Sequence, residues 1–254
     1  MKEILERTLV SNGLLTAFAL VGGVMGVSYW ISEKFTRGRL HGSAIAVLGG
    51  LILAAVGGLL AGGRNGLADV PLAAGVGLLG GNMLRDFTIV ATAYGASFAD
   101  LRRSGLPVVL ALFAGILASF LCGAGVAFAF GYRDAVSVTT IGAGAVTYIV
   151  GPVTGAALGA ASDVMALSIA AGLVKAILVM IATPLIARRI GLDNPHTAMV
   201  YGGTMGTNSG VSAGLAATDP KLVPYGVMAA TFYTGLGCLL GPSVLFLATR
   251  LLLP

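Results

Sequence analysis

Charged residues are scarce in this sequence. Only 10% of its 254 residues are Asp, Glu, Lys or Arg, whereas soluble proteins contain roughly 25%. Hydrophobic residues make up 57% of the chain, and its mean hydropathy is +0.95. This composition excludes an ordinary soluble domain and predicts an integral membrane protein in contact with the lipid bilayer.

Cysteine and histidine are also rare. Cys122 and Cys238 lie inside apolar segments, where free cysteine behaves as a small hydrophobic residue. His41 and His196 border such segments and have no second ligand at metal spacing. We therefore expect no metal centre other than a Na⁺ site, no cofactor and no enzymatic activity. The dispersed basic residues and short loops also exclude a nucleic-acid partner.

Alternating strand patterns are missing, which disfavours an outer-membrane barrel. Several segments are instead long enough for the roughly 20 apolar residues of a membrane helix. These segments are 11–31, 43–62, 106–130, 135–158, 164–187 and 224–250. No convincing cleavage site follows the first segment, so we expect it to be retained as a helix. The sequence predicts an all-α, polytopic, multi-pass membrane protein.

Glycine, by contrast, is abundant, with 39 residues. The strings GGNM and GGTM begin at Gly80 and Gly202, nearly half of the chain apart. They interrupt the elements 67–98 and 197–218, whose halves are too short to cross a bilayer. Each element is therefore expected to form a broken or re-entrant hairpin, with the two tips meeting inside the membrane. A face of small residues for helix packing is the alternative.

These matches indicate an internal duplication within a single membrane domain. We expect two inverted repeats, residues 1–131 and 132–254, with about three spans and one glycine-rich hairpin each. Broken helices of this kind surround the binding sites of secondary transporters. The patterns by themselves therefore predict a secondary transporter of a small anion.

The first break contains ionisable residues in an apolar region. Arg85 can hold both oxygens of a carboxylate, and Asn82 lies close to it in sequence. Asp86 is a candidate ligand for Na⁺. Alternatively, Arg85 and Asp86 pair with each other or extend to a membrane surface.

The second break is rich in short polar side chains. Thr204, Thr207, Asn208 and Ser209 are candidate substrate ligands, because a half-helix beginning near Asn208 would direct free N–H groups at an anion. The hydroxyl groups and unwound carbonyls could instead hold Na⁺. Ser212, farther along the same element, is a candidate for that role.

Two further features lie in the predicted spans 135–158 and 164–187. Thr139, Thr140 and Thr147 are candidate Na⁺ ligands, although such hydroxyl groups also bond back to their own helix. Lys175 lies in the middle of its span and is a candidate substrate counter-ion. Asp163 is about three helical turns away, too far to neutralise it.

Longer strings carry a resemblance to a known family. They are GAGAVTYIVGPVTG (142–155), SDVMALSIAAGLVKA (162–176), IGLDNP (190–195), AATDPKLVPYG (216–226) and FYTGLGCLLGPS (232–243). Over essentially its whole length, the chain resembles the MadM subunit of the bacterial malonate:sodium symporter. More distantly, SVTT (137–140) and the glycine break resemble the LrgB/CidB membrane proteins.

The first resemblance implies a carrier in the bacterial cytoplasmic (inner) membrane that imports malonate, a small dicarboxylate, together with Na⁺. It also implies a small membrane partner subunit, MadL, and we consider a homo-oligomer of this two-subunit transporter possible. The second resemblance implies an alternative, an exporter of short-chain carboxylates or a holin-like membrane protein.

Overall fold

The computed structural model describes residues 2–38, 40–61, 70–73, 75–76 and 105–253, and all regular elements in these ranges are helical. The chain divides into two compact units, residues 1–91 and 92–254.

The described part of the first unit is a small group of helices. It contains α1 (Lys2–Ser11), α2 (Gly13–Thr36), α3 (Gly42–Ala61) and a 3₁₀ turn (Pro71–Ala73). Helix α2 ends at Arg37, which adopts a left-handed conformation with φ of 51°. Its N–H donates to the Ser32 carbonyl, which is a common way to end a helix. Gly42 at the start of α3 packs against the Tyr29 ring of α2.

The second unit contains long and short helices in alternation. Its elements are α4 (Leu106–Ala129), α5 (Ala135–Val146), α6 (Val150–Leu158), α7 (Ser162–Ile186), α8 (Pro195–Met205), α9 (Asn208–Ala216), a 3₁₀ turn (Pro220–Leu222), α10 (Val223–Leu240), a π-helical turn (Gly241–Leu245) and α11 (Phe246–Leu252).

Four helical segments of the described residues are long and apolar enough to cross a membrane. They are Gly13–Thr36, Leu106–Ala129, Ser162–Ile186 and Pro220–Leu252. Large apolar side chains such as Leu110, Leu178 and Leu247 are exposed on them, as expected for surfaces in contact with lipid. The predicted all-α membrane architecture is confirmed, and α3 coincides with the predicted segment 43–62.

The predicted single span at 135–158 is wrong. Helices α5 and α6 have 12 and 9 residues, or about 18 and 14 Å, and neither crosses a hydrocarbon core of about 30 Å. They run antiparallel: a Cβ added to Gly155 would lie 2.8 Å from Thr140 Cγ2, and one on Gly151 would lie 2.8 Å from the Gly144 Cα. The segment is a helical hairpin, here called hairpin 1.

The turn of hairpin 1 begins at Thr147, which adopts an extended conformation with φ of −153° and ψ of 156°. Its hydroxyl oxygen accepts hydrogen bonds from the N–H groups of Ile149 and Val150, at 3.3 and 3.2 Å. This side chain therefore satisfies free amides at the start of α6. An apolar run of about 24 residues conceals the turn because length alone does not distinguish one long helix from two short ones.

The predicted break within 197–218 is present. Helix α8 ends at Gly206, whose φ of 68° is left-handed, and α9 begins immediately after Thr207. Both helices approach Thr183 of α7: Tyr201 of α8 bonds to its hydroxyl at 2.7 Å, and Gly214 of α9 packs against its side chain. Helices α8 and α9 thus form a splayed hairpin, here called hairpin 2.

The other predicted break, within 67–98, lies almost entirely outside the described residues. The internal duplication therefore stays a prediction. Between residues 105 and 253, the described chain has two membrane-spanning segments after α4 and two hairpins, instead of the three spans and one hairpin expected for the second repeat.

Candidate functional site

Helix α7 brings the two hairpins together from opposite ends. Hairpin 1 lies along its first half, where Gly155 contacts Met165 and Tyr148 packs on Gly172. Hairpin 2 lies along its second half, where Gly210 approaches the Ala176 carbonyl and Gly214 contacts Thr183. Both hairpin tips therefore lie near the middle of α7, a helix that is long and apolar enough to span a bilayer.

The close approaches require glycine. A Cβ on Gly172 would overlap the Tyr148 backbone at the tip of hairpin 1, and a Cβ on Gly206 would overlap the Tyr233 ring at the tip of hairpin 2. Gly206 also adopts a positive φ, which glycine tolerates best. The tips are therefore held against α7 and α10 by close contacts at glycine that a larger residue would prevent.

Lys175 lies between these tips. Its ammonium group donates three hydrogen bonds, to the Ser119 hydroxyl of α4 at 2.8 Å, to the Val146 carbonyl of α5 at 2.8 Å and to the Tyr233 hydroxyl of α10 at 3.1 Å. All three partners are neutral. The Val146 carbonyl belongs to the last residue of α5, so the cation also interacts favourably with the negative end of that helix.

Tyr233 is the best-buried large side chain at the site, with no solvent exposure. Its hydroxyl donates to the Gly115 carbonyl oxygen at 2.9 Å and lies 3.0 Å from the Ser119 hydroxyl. Gly115 in turn packs against the carbonyl groups of Gly203 and Thr204 near the end of α8. Tyr233 thus connects Lys175 with hairpin 2 and α4.

This arrangement suits an anionic ligand. A lysine ammonium inside a membrane protein is costly without an opposite charge, and neutral partners satisfy its hydrogen bonds without cancelling its charge. The tips also contain the N-terminal ends of α6 and α9, where the helix dipole favours anions. Thr147 caps the start of α6, whereas α9 has no side-chain cap. The C-terminal ends of α5 and α8 in the same region favour cations.

The substrate candidates of hairpin 2 have different environments. Thr204 is exposed and its hydroxyl donates to the Val200 carbonyl at 2.8 Å. Thr207 is buried at the turn, whereas Asn208 and Ser209 are half-buried at the start of α9. Burial therefore distinguishes the last three from Thr204.

The predicted Na⁺ ligands are spread over both hairpins. Thr139 and Thr140 are fully buried within α5, and the Thr140 hydroxyl bonds to the Val136 carbonyl of its own helix at 2.8 Å. Thr147 is at the tip of hairpin 1, and Ser212 is half-buried in α9. Thr147 is the member of this set that the structure brings to the turn between two helices.

The remaining candidates, Arg85, Asn82 and Asp86, lie outside the described residues. Their roles stay predictions.

Comparison with known proteins identifies the family of the chain. A family model described as the malonate/sodium symporter MadM subunit matches residues 5–253. The chain belongs to the MadM family. No curated protein and no solved structure matches it.

Sequence reasoning found Lys175 in this MadM family member but missed its partners. Ser119 and Tyr233 are 56 and 58 residues from Lys175 along the chain. The third partner is the backbone carbonyl of Val146, a group that every residue type carries and that the sequence therefore does not mark. The usable signal was the position of a single lysine in an apolar span, because its cost requires a partner or a function.

Proposed function

We propose that this chain imports malonate together with Na⁺ across the bacterial cytoplasmic membrane, as one subunit of a symporter whose other subunit is the small membrane protein MadL. Membership of the MadM family supports the substrate and the coupling ion. The structural observation that carries the proposal is Lys175, a cation between two hairpin tips with only neutral hydrogen-bond partners.

In the proposed binding mode, a malonate carboxylate lies beside the ammonium group of Lys175 and accepts hydrogen bonds from N–H groups at the start of α9, which has no side-chain cap. Malonate has two carboxylates, and a divalent anion loses much hydration energy on entering a membrane protein. Lys175 and a nearby Na⁺ together compensate for that loss. Arg85 and Asn82 stay proposed ligands, and Asp86 stays a proposed Na⁺ ligand, from the sequence alone.

The proximity of cation and anion explains coupling. Each bound ion lowers the electrostatic free energy of binding the other, and this coupling is reciprocal. The two hairpins reach the site along opposite halves of α7. We propose that movement of a hairpin-bearing element exposes the site alternately to the two faces, as in other transporters with broken helices. The activity is transport without chemical conversion of the substrate.

The test is uptake of labelled malonate into proteoliposomes that contain this chain with and without MadL. An inward Na⁺ gradient is imposed, and K⁺ replaces Na⁺ in the control. We expect uptake that requires Na⁺ and both subunits. If the folded pair moves no malonate but releases short-chain monocarboxylates such as pyruvate, the LrgB-like exporter would replace the present proposal.

A further inference from the structure

The side-chain amide of Asn208 has a defined orientation. Its Nδ2 lies 3.4 Å from the Thr231 hydroxyl oxygen, and that hydroxyl donates its only hydrogen to the Val227 carbonyl at 2.8 Å. The Thr231 oxygen can therefore only accept from Asn208, which requires the amide nitrogen to face it. The carbonyl oxygen Oδ1 then points elsewhere. It is buried and has no hydrogen-bond partner within the described residues.

Thr207, the preceding residue, has a second oxygen of this kind. It occupies the N-cap position of α9, where a threonine hydroxyl ordinarily accepts a hydrogen bond from the first turn. Thr207 makes no such bond, and its Cγ2 methyl faces Gly210 instead. Thr207 is 1% exposed, and its Oγ1 has no partner in the described part of the chain. The Thr207 hydroxyl oxygen is therefore not used to cap α9.

Two other buried hydroxyl groups lack partners among the residues that the structure covers, those of Thr139 and Thr154. Both lie within helices, where rotation about χ1 brings a threonine hydroxyl to a carbonyl of the preceding turn. Asn208 Oδ1 has no such solution because it carries no hydrogen. An unpartnered buried oxygen of this type costs about 1–3 kcal/mol, so a cation or a hydrogen-bond donor is the expected occupant.

We propose that Thr207 Oγ1 and Asn208 Oδ1 are ligands of the coupled Na⁺, at the turn between α8 and α9. This inference rests on the proposed function and deepens it by assigning the ion to particular atoms. Na⁺ is a hard cation that binds oxygen ligands, and in broken-helix transporters the C-terminal ends of half-helices coordinate it; α8 ends next to this turn. The assignment moves both residues from the malonate site, where the sequence analysis placed them, to the cation site.

The chemistry separates the two assignments. A carboxylate of malonate offers only acceptor oxygens, so it gains nothing from contact with Asn208 Oδ1. One of the two N–H donors of the same amide is already engaged with Thr231. Malonate is held instead by Lys175, which approaches the tips from α7. A cation site next to an anion site would allow Na⁺ and malonate to bind and be carried together.

The test compares Thr207→Val with Thr249→Val in the reconstituted two-subunit complex. Both threonines are buried, but the Thr249 hydroxyl is satisfied by the Leu245 carbonyl of its own helix at 2.8 Å. Thr207→Val is expected to raise the Na⁺ concentration for half-maximal malonate uptake about tenfold or more, as for loss of one contact to a charge. At saturating Na⁺ its malonate KM should approach the wild-type value. Thr249→Val should change neither quantity.

A second variant and a second measurement keep the test independent of transport. Asn208→Ala should weaken Na⁺ binding as Thr207→Val does, whereas Asn208→Asp, which retains an acceptor oxygen, should preserve it. The readout is the increase in Tm of the purified complex with Na⁺ concentration, since a ligand stabilises the state that it binds. Thr207→Val and Asn208→Ala should reduce this increase.

The outcomes distinguish the two levels of the proposal. If the wild-type complex shows neither Na⁺-dependent malonate uptake nor Na⁺-dependent stabilisation, the proposed function itself fails. If the wild type shows both and the two variants keep the wild-type Na⁺ half-saturation, only the cation site is overturned. A raised malonate KM at every Na⁺ concentration, with unchanged Na⁺ half-saturation, would return Thr207 and Asn208 to the substrate site.

Discussion

Replacement of Lys175 by methionine removes the proposed charge partner of malonate while keeping a long, unbranched side chain. In the free protein the ammonium group is already removed from bulk water and bound to Ser119, Tyr233 and the Val146 carbonyl. Little further desolvation of this group accompanies malonate binding. The attraction between the two charges is therefore available for affinity, as expected for a preorganised site.

The magnitude follows from Coulomb's law. Two unit charges about 4 Å apart attract by about 4 kcal/mol at an effective dielectric constant of about 20. Because each 1.4 kcal/mol is about a factor of ten, Lys175→Met should weaken malonate binding by about 10³-fold. Lys175→Arg keeps the charge but not the compact geometry, so it should bind malonate more tightly than Lys175→Met and less tightly than the wild type.

The assay is calorimetric titration of malonate into the purified complex at saturating Na⁺, together with uptake in proteoliposomes. Lys221→Met is the matched control, because Lys221 is exposed in the 3₁₀ turn after α9. The loss of the bond to Val146 should also lower the Tm of Lys175→Met, so affinity is compared only for samples shown to be folded. Near-wild-type malonate affinity in folded Lys175→Met would refute the role of this residue.

Further predictions concern stability and the hairpin tips. Gly206→Ala forces alanine into a left-handed conformation, at a cost of about 1–2 kcal/mol, and its Cβ would overlap the Tyr233 ring. It should therefore lower both the Tm of the complex and its affinity for malonate. Gly235→Ala, in open space on α10, is the control and should lower neither quantity. Asp134→Ala removes the N-cap of α5 and should cost about 1 kcal/mol at neutral pH. Partial burial alone would raise the pKa of Asp134, but hydrogen bonds from the Ser137 backbone and side chain outweigh it and hold the pKa below its ordinary value. The difference in stability between wild type and Asp134→Ala should therefore be complete above about pH 4 and should disappear as the pH falls through the lowered pKa. Thermal unfolding at several pH values measures this difference. A difference in stability that grows in acid would contradict this account.

The sequence by itself determined the class of protein and pointed to several residues of the candidate site. The small number of charges and the long apolar runs require a membrane protein, because only lipid accommodates so much apolar surface. Gly206 and the polar residues after it indicated the break between α8 and α9. Lys175 was recognisable because a single lysine in the middle of an apolar span is costly without a function. The longer strings carried the family resemblance, which the match over residues 5–253 confirms.

Only the tertiary structure decided how these elements meet. It divides 135–158 into a hairpin, because the contacts of Gly151 with Gly144 and of Gly155 with Thr140 require the chain to reverse. Apolar length does not encode that reversal. The structure also brings Ser119 and Tyr233 to Lys175 from distant helices. Hydrogen bonds between such residues depend on packing in three dimensions, which a one-dimensional pattern does not specify.

The same reason applies to Asn208. As a residue type, asparagine offers both donors and acceptors, so its sequence position is compatible with an anion or a cation. The contact with Thr231 engages one N–H of the amide and leaves the acceptor oxygen buried without a partner in the described residues. The orientation of this side chain is therefore decided by a neighbour 23 residues away along the chain.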